Sequence, residues 1–131
     1  MNVKTDTKEK FSVLTPEIAF ISANMTEDIA KLAGYAALDN PHLVINMKNV
    51  LDIAPEAAKK LAEVQQDAYE QDHSFVICEL QPRVEKVFDD AELTDIMNIT
   101  PTESEAWDIV QMEEIERELM GGFEDELKIE N

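Results

Sequence analysis

Between Leu43 and Val110 the chain alternates short apolar runs with amphipathic stretches of helix length, and two of those stretches open on a proline. Repetition of that unit fits a mainly parallel sheet, because consecutive parallel strands need a long crossover and a helix supplies one. Leu43, Val44, Ile45 and Met47 make one apolar run, and Phe75, Val76 and Ile77 make another. Pro55 then takes a first helical position, where its fixed φ is already helical and its missing N–H would have had no partner. Ala57, Leu61, Val64 and Ala68 follow at the +4, +3 and +4 intervals of one buried helix face. Gln81-Pro82-Arg83 repeats the device, with Val84, Val87, Phe88 and Ala91 turned inward.

The flanking segments are read in the same way. Asn2 to Lys10 alternates polar and small residues as an edge strand of a hairpin does, and Phe11, Val13 and Leu14 form its partner, ended by Pro16. Ile18 to Ala23 fits either a short strand or a packed loop. Asn24 or Thr26 caps a helix with Glu27 and Asp28 at its positive end and Ile29, Leu32, Ala33, Ala36 and Ala37 on its apolar face; Asn40 and Pro41 stop it. The expected order is then strand Leu43 to Met47, helix Pro55 to Glu70, strand Ser74 to Leu80, helix Pro82 to Ala91, strand Ile96 to Ile99 and a last helix. Thr102 and Glu105 form a capping box for that helix, and Trp107, Val110 and Ile115 are expected to dock it. From Glu113 the sequence turns acidic and is interrupted by Gly121 and Gly122, so the chain divides into a domain over 1–112 and, over 113–131, a frayed helix end with a mobile acidic tail. Removing the residues after Gly121 is expected to leave folding intact unless Phe123 or Leu127 packs on the body.

Length allows one core, and an apolar content of 44% argues against wholesale disorder. A formal net charge of −18 repels phosphate backbones and anionic lipid surfaces, so neither a nucleic acid nor a membrane is expected as partner. Cys78, the only cysteine, lies within an apolar run where a buried, inert thiol is expected. MNVKTDTKEK has no apolar stretch of signal-peptide type and no segment is long enough to span a bilayer, which points to the cytoplasm.

Several chemistries lack their residues. His42 and His73 each precede a strand and begin neither an HxxxH nor an HExxH spacing, so no metal site is expected. Three glycines supply no GxGxxG or Walker loop, and there is no GxSxG elbow; no cofactor and no catalytic residue is assigned. Asp52, after a sheet strand, raises a receiver-like phosphoacceptor reading, but the acidic pair that would hold magnesium is missing after Phe11 to Leu14. A helix-start acceptor or a surface charge is the other reading of Asp52.

The segments LVINMKNVLDIAPEAAKKL, HSFVICELQPRVEKVF and LTDIMNITPTESEAWDIV, in that order and spacing, resemble a STAS domain, the fold of bacterial anti-sigma-factor antagonists. MEEIERELM resembles the ending of single-domain members from Bacteroidetes-type bacteria. The likeness implies an α/β fold with a mixed, mainly parallel sheet of four to five strands and about four helices mostly on one face. In such antagonists a serine at the start of the helix after the third strand is phosphorylated by a kinase that is also the anti-sigma factor, and phosphate abolishes their binding. Aligned on Val50, Ile53 and Leu61, this chain reads Ala54, Pro55, Glu56, Ala57 there, without a phosphoacceptor.

The resemblance therefore implies a non-enzymatic regulatory module that binds an anti-sigma factor or related kinase-like regulator. Glu56 and Pro55 stand at the phosphosite, and the contact surface is expected to include Asp52, Ala54 and Lys59 together with Asn24 and Thr26 from the neighbouring loop. Glu56 reads either as a permanent imitation of phosphoserine or as an ordinary helix-start charge. A degenerate scaffold acting as a homodimer and the receiver-like protein are the alternative functions.

Overall fold

A computed structural model describes residues 2–130, with the side chains of 39 and 121–130 outside the description. The elements run β1 (Val3–Thr7), β2 (Ser12–Pro16), β3 (Phe20–Ile21), a 3-10 turn (Ala23–Met25), α1 (Thr26–Asp39), β4 (Leu43–Asn46), β5 (Asp52–Ile53), α2 (Pro55–Glu70), β6 (Phe75–Cys78), α3 (Pro82–Asp90), β7 (Ile99–Thr100) and α4 (Glu103–Glu130). The main sheet has the order β1-β2-β4-β6-β7, with β1 antiparallel to β2 and every other pair parallel. A second, two-stranded parallel sheet joins β3 to β5.

Strand alternation divides the core. Leu14, Leu43, Ile45, Phe75 and Ile77 face one cluster together with Ile29 and Ala33 of α1, Ala57 and Leu61 of α2, and Val84 and Phe88 of α3. Val13, Val44, Val76 and Cys78 face the other way, onto Ala106 and Val110 of α4. Burial on both faces is why β4 and β6 read as continuous apolar runs rather than alternating ones. Three helices lie on one side and α4 alone on the other.

Three expectations need correction. Residues Ile96 to Asn98 are not strand: Leu93 and Met97 are buried four residues apart, Met97 N–H donates to Leu93 O at 3.1 Å, and Ile96 is exposed, so the segment turns and pairing begins only at Ile99. Buried Gln65 holds that turn, donating to Ile96 O at 3.0 Å and accepting from Asn98 N–H at 2.9 Å. Neither Asn24 nor Thr26 caps α1; the 3-10 turn leads into the helix, Met25 occupies the cap position, and no side-chain bond forms there. Ile115 does not dock α4. It points to solvent, while Trp107 stacks on Phe11 with ring centroids 4.5 Å apart and Ala106 and Val110 fill the interface.

The backbone of α4 also continues past Glu113 and through Gly121 and Gly122, and Glu113 accepts a hydrogen bond from the Tyr69 hydroxyl. Whether Phe123 or Leu127 packs on the body lies outside the described side chains. One half of the expected capping box forms: Glu105 N–H donates to Thr102 Oγ1 at 3.2 Å. Ile18 to Ala23 resolves into β3, with Phe20 opposite Asp52 and Ile21 opposite Ile53.

Candidate functional site

The start of α2 is built by the small β3/β5 sheet. Leu51 and Asp52 donate their N–H groups to Ala19 O at 2.8 and 3.1 Å, and Ala54 N–H donates to Ile21 O at 2.8 Å. These bonds hold Ala54 in an extended conformation (φ −70°, ψ 144°) as the residue before the helix, so Pro55 falls on the first helical position and Glu56 on the second. Ala54 O accepts from the N–H groups of Ala57 and Ala58 at 3.0 and 3.1 Å. Pro55 has no N–H, so the Glu56 amide is the one first-turn donor left facing outward, and no hydroxyl or amide side chain caps the end.

Pro55, Glu56 and Lys59 are exposed, Ala54 and Asp52 are half-buried, and Ala57, Ala58 and Leu61 sink into the core. Glu56 thus carries its carboxylate at the positive end of a helix dipole with water around it. Asp52 does not cap the helix: its Oδ1 accepts from the next amide, Ile53 N–H, at 2.9 Å. It sits in the small sheet, not at the end of a strand of the main one. The 3-10 turn that holds exposed Asn24 packs against α2, and half-buried Thr26 begins α1 beside it, so all seven residues expected at the site gather at one end of the molecule.

Two neighbours were not singled out from the sequence. Phe20 is 47% exposed and Leu51 is 58% exposed, and the ladder that bonds Leu51 N–H to Ala19 brings both beside the start of α2. Their signal was a large apolar residue in a short extended piece, which periodicity alone assigns to a core. The surface is therefore an apolar pair set among isolated charges.

Elsewhere, burial pushes the Cys78 thiol up to about 12, with Glu79 and Glu103 adding to the shift, so it stays a protonated, unreactive core group. His42 and His73 stand edge to face with ring centroids 6.4 Å apart. Among the described residues no three His, Cys, Asp or Glu side chains gather as metal ligands, and no helix is long and apolar enough to cross a membrane.

The model of the STAS domain family matches residues 2–106. The chain belongs to the STAS domain family. Solved structures share the fold at low sequence identity. A Thermotoga maritima protein described as a candidate anti-sigma factor antagonist is 15% identical at a TM-score of 0.73, covering 83% of this chain and 94% of that one. The Bacillus anti-sigma factor antagonist SpoIIAA in its unphosphorylated form is 16% identical at 0.64, covering 84% and 96%. A serine-to-glutamate variant of Moorella thermoacetica RsbS is 14% identical at 0.69, covering 85% and 96%. No curated protein sequence matches the chain. The mixed sheet and four helices of this STAS domain are those expected of the family.

Proposed function

We propose that this STAS domain is a non-enzymatic regulatory module of the cytoplasm that binds an anti-sigma factor or a related kinase-like regulator through the start of α2, without control by phosphorylation at that point. The observation that carries the reading is Glu56: an exposed carboxylate on the second residue of α2, preceded by Ala54 and Pro55, with no hydroxyl in the first turn. SpoIIAA, which shares the fold, exists in unphosphorylated and phosphorylated forms. A phosphoserine at a helix start brings about −1.5 to −2 charges and three acceptor oxygens, whereas a glutamate brings one charge and two. Glu56 is then a partial and permanent version of the modified state, which weakens the contact without abolishing it as a phosphate would. Phe20 and Leu51 supply the apolar part of the contact, and Lys59, Asp52 and Asn24 its polar margin.

The deciding experiment replaces Pro55 and Glu56 with serines and measures affinity for the cognate anti-sigma protein by calorimetry. The serine version is expected to bind more tightly than the native chain, because the fixed charge is gone while the Phe20 and Leu51 contact remains. Equal affinities would reduce Glu56 to a helix-start charge. Loss of binding in a Phe20→Ser, Leu51→Ser protein that still folds is expected in parallel, since desolvated apolar anchors carry most of the energy of such contacts.

A further inference from the structure

The last helix presents a second surface on the opposite side of the sheet from the helix whose start forms the site above. Its inward stripe is fixed at four successive places. Ala106 and Val110 are fully buried against the sheet. Glu113 accepts from the Tyr69 hydroxyl at 2.6 Å and from the Asn98 amide at 3.3 Å, and Arg117 donates to Ser74 Oγ at 3.1 Å with its guanidinium carbon 5.9 Å from the centre of the Tyr69 ring. These positions follow +4, +3 and +4 spacing, so they set the rotation of α4 as far as Arg117.

With that rotation fixed, Met112, Ile115 and Leu119 point away from the body at 59%, 56% and 69% exposure, and Met120 stands beside them at 64%. Single exposed apolar residues need no explanation, but Met112, Ile115 and Leu119, in +3 and +4 register along one face, make a seam of the kind that packs against another helix. Exposed Glu116 and Glu118 flank the seam on its two sides. The sole cation between Glu103 and Met120, Arg117, is turned inward and engaged.

We infer that the Met112–Ile115–Leu119 face of α4 docks a basic amphipathic helix of another protein, with aliphatic residues against the seam and Lys or Arg against Glu116 and Glu118. Charge selects this occupant over a second copy of the chain. A copy would bring its own Glu116 and Glu118, and a net charge of −18, to a face whose described residues, from Glu103 to Met120, leave no cation free to answer them.

The test uses the full chain and two designed helical peptides with leucine at the seam positions, one with lysine and one with glutamate at the flanking positions. Fluorescence anisotropy is expected to show saturable binding of the lysine peptide, weaker as salt is raised, and none of the glutamate peptide. Ile115→Ser with Leu119→Ser removes two largely exposed side chains, so the fold should survive, as circular dichroism checks; this protein is expected to bind the lysine peptide at least about tenfold less tightly. Unchanged affinity in that variant would reduce the interaction to charge alone and overturn the inference. So would absence of saturable binding, or a dimer in sedimentation velocity that the double substitution dissolves. The protein with serines at 55 and 56 should keep peptide binding, which separates this surface from the one at the start of α2.

Discussion

At the scale of single residues, the start of α2 is decided by Ala54, Pro55 and Glu56, none of which uses a side-chain cap. The helix relies instead on the Ala54 carbonyl and on the carboxylate next to the dipole. Glu56→Gln is therefore expected to destabilise the protein by about 0.3–1 kcal/mol in urea titrations at low ionic strength, the range for an exposed first-turn charge. The opposing effect, one negative charge fewer on an acidic chain, acts through water over carboxylates that stand farther off, whereas the dipole end lies within the same turn. The local interaction should win, and the cost should shrink when the titration is repeated at high salt. A variant as stable as the native chain at low salt would mean the carboxylate gains nothing from its position and is there for a partner alone.

At the scale of elements, the starts of β4 and β6 are joined by a histidine. Leu43 N–H donates to Ser74 O at 2.9 Å, and Ser74 N–H donates to His42 Nδ1 at 3.0 Å, which continues the ladder by one side-chain rung. That bond needs Nδ1 without a proton. Burial lowers the His42 pKa from its ordinary 6.5, and the positive charge of Arg117 lowers it further, with His73 acting the same way and Glu114 and Glu113 opposing. The folded protein thus binds fewer protons here than the unfolded chain, so the contribution is fully present above pH 6.5 and is lost as pH falls through the lowered folded value. His42→Asn keeps an acceptor oxygen close to the place of Nδ1 and does not titrate. Its stability, measured against the native protein from pH 7.5 down to pH 5, should fall less steeply, and parallel curves would show that His42 does not sense the proton. The sequence made β4, β6, α2 and α3 legible because doubly buried strands and proline-opened helices are local patterns. It blurred where β7 begins, because Leu93 and Met97 obey helical spacing in a stretch that also suits a strand. The ends of α2 and α3 were legible to within a residue, although the left-handed residues beyond them are Asp72 (φ 61°) and Glu92 (φ 60°), where glycine is the usual signal. The gathering of Phe20 and Leu51 depends on β3 meeting β5 across thirty-odd residues, which no local pattern encodes.

At the scale of the whole molecule, 29 acidic residues against 11 basic ones make self-repulsion the main electrostatic term. The counterweight is small: the ion pairs among the described residues are Lys8–Asp6, Lys60–Glu63 and Lys86–Asp90, all at the surface, where water and salt screen the attraction. Salt weakens both, but the repulsion sums over many unpaired carboxylates and the attraction over three pairs. The Debye length shortens from about 30 Å at 0.01 M to about 10 Å at 0.1 M, so most of the repulsion across a domain of this size is removed in that interval. Adding sodium chloride should therefore raise the midpoint of urea unfolding steeply at first and then level off, with little change in slope. The same screening would weaken a basic partner on α4 and leave the apolar contact of Phe20 and Leu51 nearly untouched. A midpoint that falls on adding salt would mean that the few cations, Lys59 and Lys60 near the start of α2 among them, hold more of the fold together than their exposed positions indicate.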